Sequence, residues 1–418
     1  YIEKGYFPQL NMPDCMPKQE YIMLPKIEDK DLVDIVSFQV LEKQNNTAIV
    51  EANVYNPSAE EIKEINIDGL ICEIIEQKFL EETSKVKLKI TVNSQYVSSY
   101  SVSSLTVKGS YSQEYTRNYE KNERQILIEF FREVNNVEDW KEINKFPNEN
   151  YKIMQEIDFK NCGNEIIINK DFKGKLEGNN KIIKNISVKD TEGIIYHLYG
   201  EICNLTVDNM NLVYNEVKIG GFIGYAENRA KINNVHILNS KIEVNTKTKV
   251  QIGTLIGDVQ AVQVINCSVT NTNIICKNNT EVVIGGLVGK GNQTLISNCF
   301  AQDINININN ANISNGIGGI IGNMYYGTTE YSYSFGNIKA ENSTVAGICG
   351  YSDNTYVSKC YSGMNINSNG KNVAGIVGYS ASNEGQIMIN NNLHIGNVYN
   401  SLEKIVNPII GNDKNGKE

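Results

Sequence analysis

The sequence predicts a mainly β protein, most of which folds as a right-handed parallel β-helix. A short glycine motif recurs six times, and its closing glycines lie 33, 32, 33, 28 and 28 residues apart. No proline occurs between Pro147 and Pro408, which suits an unbroken ladder of backbone hydrogen bonds because proline has no N–H donor. Repeats of this length with several short β-type runs are typical of single coils of a β-helix.

The repeated motif consists of an aliphatic residue, two small residues, two apolar residues and a closing glycine. Its copies are residues 219–224, 252–257, 284–289, 317–322, 345–350 and 373–378. We expect its glycines to permit tight backbone corners and its apolar residues to point inward. Lys290 follows one copy, as in a phosphate-binding loop, but such a loop continues with Ser or Thr, and Gly291 stands there instead. The glycines are therefore predicted to be structural.

The repeat region is poor in charge and rich in asparagine. Between residues 219 and 400, 19 of 182 residues are charged, against 68 of 236 elsewhere, and 32 are asparagine. Equivalent positions in successive coils lie about 4.8 Å apart, where like charges repel and asparagine side chains can hydrogen-bond along a column. The short β-type runs 262–265 and 305–308 fit the same interpretation. We therefore expect asparagine ladders along the coils.

The region before the repeats is predicted to hold an arm and a small β-sandwich. Four of the seven prolines lie within the first 25 residues, so residues 1–30 are expected to form an extended, proline-rich arm. Residues 31–118 contain several alternating runs, such as 47–55 and 86–92, which place apolar side chains on one face of a strand. Such runs favour a β-sandwich-like domain, a spacer or docking module.

Residues 119–150 are predicted to form a linker and a short helix that caps the first coil. Asn136 is a favourable N-cap, with Asp139 three residues further on. The only tryptophan of the chain, Trp140, is interpreted as a packing anchor of this helix. A role in stacking on a ligand is the alternative.

The β-helix is predicted to span residues 151–405, followed by a tail at residues 406–418. The open end of a β-helix exposes a sheet edge and needs a cap, and the tail is short for that purpose. Because the sequence begins at Tyr1 without an initiator methionine, we expect a fragment or a processed product.

The nine cysteines show no metal-binding spacing. Cys267 and Cys299 occupy matching places in adjacent repeats, and Cys203 and Cys360 occupy similar places in theirs. We interpret them as small apolar side chains stacked inside the repeat core. Disulfide bonds are the alternative, and the odd number then predicts at least one free thiol.

Charge and hydropathy argue against nucleic-acid binding and against a membrane-spanning segment. The net charge of −9 argues against a nucleic-acid surface, which needs a basic stripe. No run of about 18 apolar residues occurs, so no membrane-spanning segment is predicted.

The clearest copy of the motif, Gly-Leu-Val-Gly at residues 286–289, resembles the bacterial GLUG motif. Residues 157–186 resemble the opening coils of pectate-lyase-like β-helices in surface proteins. The order of proline-rich arm, strand-rich unit and GLUG coils is similar to the N-terminal, non-catalytic region of the immunoglobulin-A protease family of bacterial zinc metallopeptidases. The resemblance implies a module of a secreted or wall-attached peptidase of a Gram-positive bacterium, with the catalytic domain elsewhere in the same polypeptide.

The zinc motif of those peptidases, H-E-x-x-H, is not in this sequence. The three histidines, His197, His236 and His394, stand singly beside apolar or aromatic residues and are interpreted as half-buried side chains of the coils. We predict no catalytic, cofactor-binding or metal-ligating residue in this chain, no cofactor and no enzyme activity of its own.

Three functions remain open. The first is a module that binds or positions a host protein or glycoprotein, with immunoglobulin as a candidate. Tyrosines of an expected inter-coil loop at residues 323–333 would supply contact area, although tyrosines without a partner give the same pattern. The second is a structural stalk or adhesin of the bacterial surface. The third, a carbohydrate-active enzyme, needs clustered carboxylates, and the acids of the coils are sparse, with Asp258 and Asp353 at different distances from their glycines.

Overall fold

The chain forms two compact units, which meet between Phe130 and Phe131 in the sequence. The structure, a computed structural model, describes residues 32–44, 46–92, 98–109, 113–216, 218–277, 281–309, 313–381, 388–401 and 407–413. The predicted arm at residues 1–30 and Cys15 lie outside the described residues.

The N-terminal unit is built from two antiparallel sheets. The described strands are Asp34–Gln44 (β1), Thr47–Tyr55 (β2), Glu61–Ile67 (β3), Leu70–Phe79 (β4), Thr83–Val92 (β5), Ser98–Lys108 (β6), Glu114–Asn118 (β7) and Gln125–Ile128 (β8). One sheet has the order β1-β2-β5-β4, and in the other β6 pairs with β3, β7 and β8. Alternate residues of β2 and β5 are buried in one core shared by both sheets, as the period-two pattern predicts.

Residues 119–130, which the sequence assigned to the linker, pack in this N-terminal unit. Strand β8 pairs with β6, and Ile126 and Ile128 enter the core. The hydroxyl of Tyr119 accepts a hydrogen bond from the backbone N–H of Ile35 at 3.1 Å and lies 3.1 Å from Asp34 Oδ1. The polar segment before this short strand hid its two buried isoleucines from the sequence-based assignment.

The second unit is a parallel β-helix with three sheets. The nine-stranded sheet contains Ile168–Phe172, Ile195–Leu198, Ile223–Ala226, Ile256–Gln260, Val288–Asn292, Ile321–Tyr325, Cys349–Asp353, Val377–Ala381 and Ile410–Asp413. The six-stranded sheet contains Ile219–Gly220, Val250–Gly253, Glu281–Gly285, Ile313–Gly318, Ser343–Ala346 and Val373–Ala374.

The third sheet, called the bent sheet below, carries the remaining described strands. They are Arg132–Val134, Tyr151–Ile153, Ile157–Asp158, Lys175–Lys189, Glu201–Tyr214, Lys231–Leu238, Lys241–Val244, Gln263–Ile265, Ser268–Lys277, Leu295–Ser297, Phe300–Asn309, Thr328–Glu330, Tyr333–Ala340, Tyr356–Ser358, Tyr361–Ser368, Met388–Asn390, Leu393–His394 and Val398–Asn400. The inward aliphatic residues of all three sheets form one continuous core. The predicted parallel β-helix is confirmed.

The glycine motif joins the six-stranded sheet to the nine-stranded sheet, but not through left-handed backbone. None of the glycines within its six copies has a positive φ. Gly316, which precedes one copy, has a φ of 149°. The closing glycine is required by close stacking instead. A Cβ on Gly289 would lie 2.4 Å from the carbonyl oxygen of Gly257 and 2.8 Å from the carbonyl carbon of Ile252. The predicted corner is correct, and its physical reason is the approach of the preceding coil.

Left-handed corners occur in the bent sheet, where asparagine occupies most of them. Asn204, Asn234, Asn266 and Asn298 have φ between 54° and 56° at equivalent positions of successive coils. Asparagine tolerates this conformation better than other residues with a Cβ, because its short polar side chain bonds locally. The high asparagine content of the repeats therefore has a backbone cause that the sequence analysis did not identify.

Asparagine ladders also occur, as predicted. Asn337 Nδ2 donates to Asn305 Oδ1 at 2.9 Å, and Asn365 Nδ2 donates to Asn337 Oδ1 at 3.4 Å. Asn397 Nδ2 extends the series to Asn365 Oδ1 at 3.4 Å. Each amide thus donates along the stack and accepts from the next coil, which satisfies the side chains without charge.

The short α-helix Val137–Lys141 (α1) covers the first coil, followed by the 3₁₀ turn Glu142–Asn144, and a second 3₁₀ turn spans Gly163–Ile166. The side chain of Asn136 accepts from the backbone N–H of Asp139 at 3.0 Å, which confirms the predicted N-cap. Trp140 is fully buried, donates from Nε1 to the carbonyl oxygen of Ile166 at 2.7 Å and meets the ring of Phe159 edge-on at 5.3 Å. Trp140 is therefore a packing anchor.

All eight cysteines among the described residues are free thiols, six of them buried. The backbone N–H of Cys267 lies 3.4 Å from Cys299 Sγ, so these two stack as predicted. Burial raises the pKa of the Cys360 thiol to about 12, which makes it unreactive at neutral pH. Cys203 belongs to a different column, because strand pairing aligns it with Asn233 and Ile265, and its Sγ lies 3.2 Å from a carboxylate oxygen of Glu177.

Residues 407–413, which the sequence assigned to a tail, belong to the β-helix. The strand Ile410–Asp413 pairs with Val377–Ala381, and the N–H of Val377 donates to the carbonyl oxygen of Ile409 at 2.8 Å. Gly411 occupies the position of the closing glycine. A Cβ added to Gly411 would lie 2.5 Å from the carbonyl oxygen of Gly378. Pro408 interrupts the first half of the motif and concealed this copy.

Candidate functional site on the nine-stranded sheet

The residue after each closing glycine points away from the core, and with the aligned residues of the first two strands these residues form one row across the nine-stranded sheet. We call it the central row. Strand pairing aligns its members in the order Asp171, His197, Tyr225, Asp258, Lys290, Asn323, Tyr351, Tyr379 and Asn412. Adjacent members are separated by one strand spacing, about 4.8 Å. The row is thus a continuous line of polar and aromatic groups on one face.

The first part of the central row is an acid–histidine cluster. His197 Nδ1 lies 3.3 Å from Asp171 Oδ1, and His197 Nε2 lies 3.4 Å from Glu227 Oε1 without hydrogen-bond geometry. The imidazole also contacts the rings of Tyr199 at 4.4 Å and Tyr225 at 4.8 Å. The sequence analysis treated this histidine as an ordinary half-buried side chain and did not bring these groups together.

The hydroxyls around Glu227 stay protonated at neutral pH. Tyr225 OH lies 3.3 Å from Glu227 Oε2 and 3.1 Å from Gln260 Oε1. Burial, followed by the charges of Glu227 and Asp258, raises the pKa of Tyr225 to about 12. A hydrogen bond to Glu227 is the main cause that raises the pKa of Tyr199 to about 12. Both phenols are therefore hydrogen-bond donors, not proton acceptors, in this cluster.

Asp258 and Lys290 form the next pair of the row. Lys290 Nζ lies 3.2 Å from Asp258 Oδ2. Burial raises the pKa of Asp258, and the neighbouring ammonium group partly opposes this change. Lys290 points outward from the strand Val288–Asn292 and is engaged in this ion pair, in agreement with the rejection of a phosphate-binding loop.

The last part of the row is a tyrosine ladder beside a cavity. The ring of Tyr351 stacks on Tyr379 at 5.4 Å and meets Tyr325 at 5.6 Å. A cavity of about 340 Å³ is lined by Asn323, Tyr325, Thr344, Tyr351, Asn372 and Tyr379. Thr344 belongs to the six-stranded sheet, so the cavity lies between two sheets of the coils.

The prediction of an inter-coil loop at residues 323–333 is wrong. This segment consists of the end of Ile321–Tyr325, the strand Thr328–Glu330 and the start of Tyr333–Ala340, joined by tight corners. Its tyrosines therefore face different surfaces. Tyr325 lies beside the cavity, whereas Tyr333 stacks on Phe300 in the bent sheet at 4.9 Å.

Asp258 and Asp353, whose distances from their closing glycines differ, lie apart on the nine-stranded sheet. Asp258 lies in the central row, and Asp353 lies two residues beyond that row on a strand three positions further along the sheet. Glycoside hydrolysis needs two carboxyl groups on opposite sides of one bound sugar. Neither the cavity beside the tyrosines nor a second one of about 390 Å³ on the bent sheet is lined by Asp or Glu.

The other two histidines lie away from the row, in the bent sheet. His236 Nδ1 lies 2.7 Å from Ser268 Oγ and its Nε2 lies 2.9 Å from Asn234 Oδ1. His394 Nδ1 lies 3.1 Å from Ser362 Oγ. Burial lowers the pKa of both imidazoles, because the charged form is poorly solvated there. His236 is the hydrogen-bonded, half-buried side chain that the sequence predicted.

We expect these two histidines to make the free energy of unfolding depend on pH below about 6.5. Their folded pKa values are depressed, so the unfolded chain binds more protons as the pH falls past the ordinary value. The stability is complete above that value and declines as the pH drops through the folded pKa. Urea unfolding measured between about pH 7 and pH 5 tests this window, where most carboxylates remain ionised.

A double variant, His236→Gln with His394→Gln, is the matched control for that pH series. Glutamine retains hydrogen-bonding groups but does not titrate. The slope of unfolding free energy against pH should become flatter in the double variant. An unchanged slope would show that other groups carry the pH dependence.

Among the residues that the structure describes, no group of three His, Cys, Asp or Glu side chains is arranged to hold a metal ion. Within the same residues the only α-helix has five residues, and no helix is long and apolar enough to cross a bilayer.

No family model matches the sequence, so the GLUG assignment stays a prediction, and no curated protein matches it. Solved structures do match, and among them is an IgA1 protease that is 17% identical, with a TM-score of 0.46. The match covers 85% of this chain and 27% of the protease chain. No function is transferred from this likeness.

Proposed function

We propose that this chain is a non-catalytic binding module that holds a protein or glycoprotein partner along the central row of the nine-stranded sheet. The row itself carries the proposal. Its outward groups include three tyrosines, a histidine and two asparagines in register over nine strands, a length on the order of 40 Å. Tyrosine supplies large contact area at low cost in conformational entropy.

The rigidity of the sheet that carries the central row favours binding of a partner. The residues that alternate with the row, including Leu198, Ala226, Val259 and Met324, are buried in the continuous core. Outward side chains on such a sheet lose little further freedom when a partner docks, which lowers the entropic cost of association. Immunoglobulins and mucin-type glycoproteins are the candidate partners.

The setting of this module is part of the proposal. We assign it to the outside of a bacterial cell or to the cell wall, and to a polypeptide that also contains a zinc peptidase domain. The motif order that resembles immunoglobulin-A proteases supports this assignment. Isolation of the natural polypeptide and surface labelling of intact cells test both parts, and a natural product without any H-E-x-x-H domain would contradict the peptidase part.

Capture experiments test the binding function. The purified chain is immobilised and exposed to immunoglobulins and mucin-type glycoproteins, and bound material is examined for cleavage. Capture without cleavage is the expected result. We expect a double variant, Tyr325→Ala with Tyr379→Ala, to lose most of the capture. The matched control is Tyr356→Ala with Tyr399→Ala, two exposed tyrosines of the bent sheet.

A structural stalk or adhesin is the second candidate, and the same experiment separates it. Continuous stacking of the coils with one core is what a stalk requires. Failure to capture any of the proteins would favour the stalk. Cleavage of a captured protein would reveal a catalytic site and contradict the non-catalytic assignment.

A further inference from the structure

The cavity beside the tyrosine ladder has polar and aromatic walls but no charged side chain. Burial, followed by the nearby charge of Asp353, raises the pKa of Tyr351 to about 12, so its phenol remains a neutral donor. The volume of about 340 Å³ falls at the lower end of small-molecule sites, which span roughly 300–1,000 Å³. An uncharged ligand of modest size fits these properties.

One wall of the cavity is formed by aromatic rings. Tyr351 and Tyr379 stack with an interplanar angle of 19°, and Tyr325 continues the ladder at 41° to Tyr351. Asn323 Nδ2 lies 3.3 Å from Tyr325 OH, which helps to orient that phenol. The rings thus present aromatic surface and hydroxyls along consecutive coils.

The other wall carries a hydroxyl and an amide that are held in place. Asn372 Nδ2 donates to Thr344 Oγ1 at 3.3 Å. Asn412 Nδ2 donates to Asn372 Oδ1 at 3.1 Å. Because neighbouring coils fix the amide of Asn372, this wall has preset donors and acceptors opposite the rings.

We propose that this cavity is a binding subsite for a neutral saccharide. The proposal rests on the proposed function, since the saccharide would be the glycan part of a glycoprotein held on the central row. A sugar ring combines an apolar C–H face with hydroxyls that both donate and accept. The tyrosine rings cover the apolar face, while amide and hydroxyl side chains pair with the hydroxyls.

The lining argues against a peptide in this cavity. An apolar side chain of a bound peptide would cover the polar groups of Thr344 and Asn372. These groups would lose hydrogen bonds to water without gaining new ones, which costs free energy. Asn323 is only 4% exposed, and its Oδ1 already has no hydrogen-bond partner among the described residues. The three strands of the nine-stranded sheet that line the cavity are paired on both sides, so within the described residues this sheet offers no free backbone edge there for an added peptide strand.

The test uses glycans released from immunoglobulins and mucin-type glycoproteins and separated into neutral and acidic pools. Each pool is fluorescently labelled and titrated against the purified chain. The neutral pool should bind, and Tyr351→Ala and Tyr379→Ala should weaken binding about tenfold or more, because each removes one ring of the stack. Tyr399→Ala, which changes an exposed tyrosine of the bent sheet, should bind as the unchanged chain does.

The backbone signal in circular dichroism establishes that each variant is folded. Tyr351→Phe is a second, milder variant that keeps the ring, and it should retain most of the binding. Equal binding of neutral and acidic pools, or full binding by the folded Tyr351→Ala variant, would overturn the saccharide assignment.

Deglycosylated partners distinguish this inference from the proposed function. Capture of glycoproteins that disappears after enzymatic removal of their glycans supports both. Capture that survives deglycosylation overturns the saccharide subsite and leaves the binding module intact. Binding of free neutral glycans without capture of any intact glycoprotein supports the subsite and contradicts the module.

Discussion

Replacement of Gly289 by alanine should lower the free energy of unfolding by about 3 kcal/mol, at the upper end of the usual cost of overpacking. The added Cβ would lie 2.4 Å from the carbonyl oxygen of Gly257 and within 2.9 Å of the backbone of Ile252. Backbone atoms of a stacked coil cannot rotate away as a flexible side chain can. Relief requires separation of two coils, which breaks hydrogen bonds of the ladder. Urea unfolding followed by far-ultraviolet circular dichroism measures the loss.

Gly291→Ala is the matched control, two residues further along the same strand. The Cβ at this inward position would approach only the ends of side chains, Met324 Sδ at 3.0 Å and Ile321 Cδ1 at 3.1 Å. Equivalent positions in neighbouring coils hold Val259 and Met324, so the site accepts larger residues. The control should change stability by less than about 1 kcal/mol. Similar losses for both variants would contradict the argument from coil stacking.

Truncation of Trp140 to alanine should cost about 3–5 kcal/mol, as for other fully buried aromatic residues. The variant loses the edge contact with Phe159 and leaves the carbonyl oxygen of Ile166 without its donor. Because Trp140 covers the start of the stack, its loss should also favour fraying of the first coil. Circular dichroism must follow the unfolding, since no other tryptophan remains to report by fluorescence.

Two controls separate the contributions of Trp140. Trp140→Phe keeps an aromatic ring but removes the N–H, so its cost should be about 1–3 kcal/mol. Glu138→Ala changes an exposed residue of the same helix, whose solvent-exposed ion pair with Lys141 contributes little to stability. If Glu138→Ala destabilised the chain as much as Trp140→Ala, the helix rather than the buried ring would be responsible.

Most of the fold could be predicted because a β-helix repeats its constraints at short intervals. Each of the six copies found in the sequence ends in glycine, while the first of the two small positions also accepts alanine and the second accepts threonine. A Cβ on the closing Gly289 would meet backbone atoms of the preceding coil, and a Cβ on Gly285 or Gly286 would lie equally close to backbone oxygens. Close approach therefore explains why glycine suits all three positions, but not why only the closing position is always glycine. The segments that end at Tyr196 and Gly411 occupy the same place in their coils, and they were missed because Tyr196 stands where the motif has its closing glycine and Pro408 interrupts the other segment.

The candidate site was less accessible to prediction, although its register was present in the sequence. The position after the closing glycine holds Tyr225, Asp258, Lys290, Asn323 and Tyr351 in consecutive coils. These residues differ in chemistry, so no periodic pattern of one residue type marks them.

The sequence by itself determined the coil, its corners and the alignment of positions from coil to coil, because spacing and backbone sterics repeat along the chain. Only the tertiary structure decided which side chains meet across columns and sheets. Asp171, His197 and Glu227 converge although they come from three successive coils, and Thr344 reaches the cavity of Tyr351 from another sheet. The physical reason is that stacking fixes neighbours along a column through a regular spacing. Neighbours between sheets depend on how each corner folds back, which local sequence does not encode.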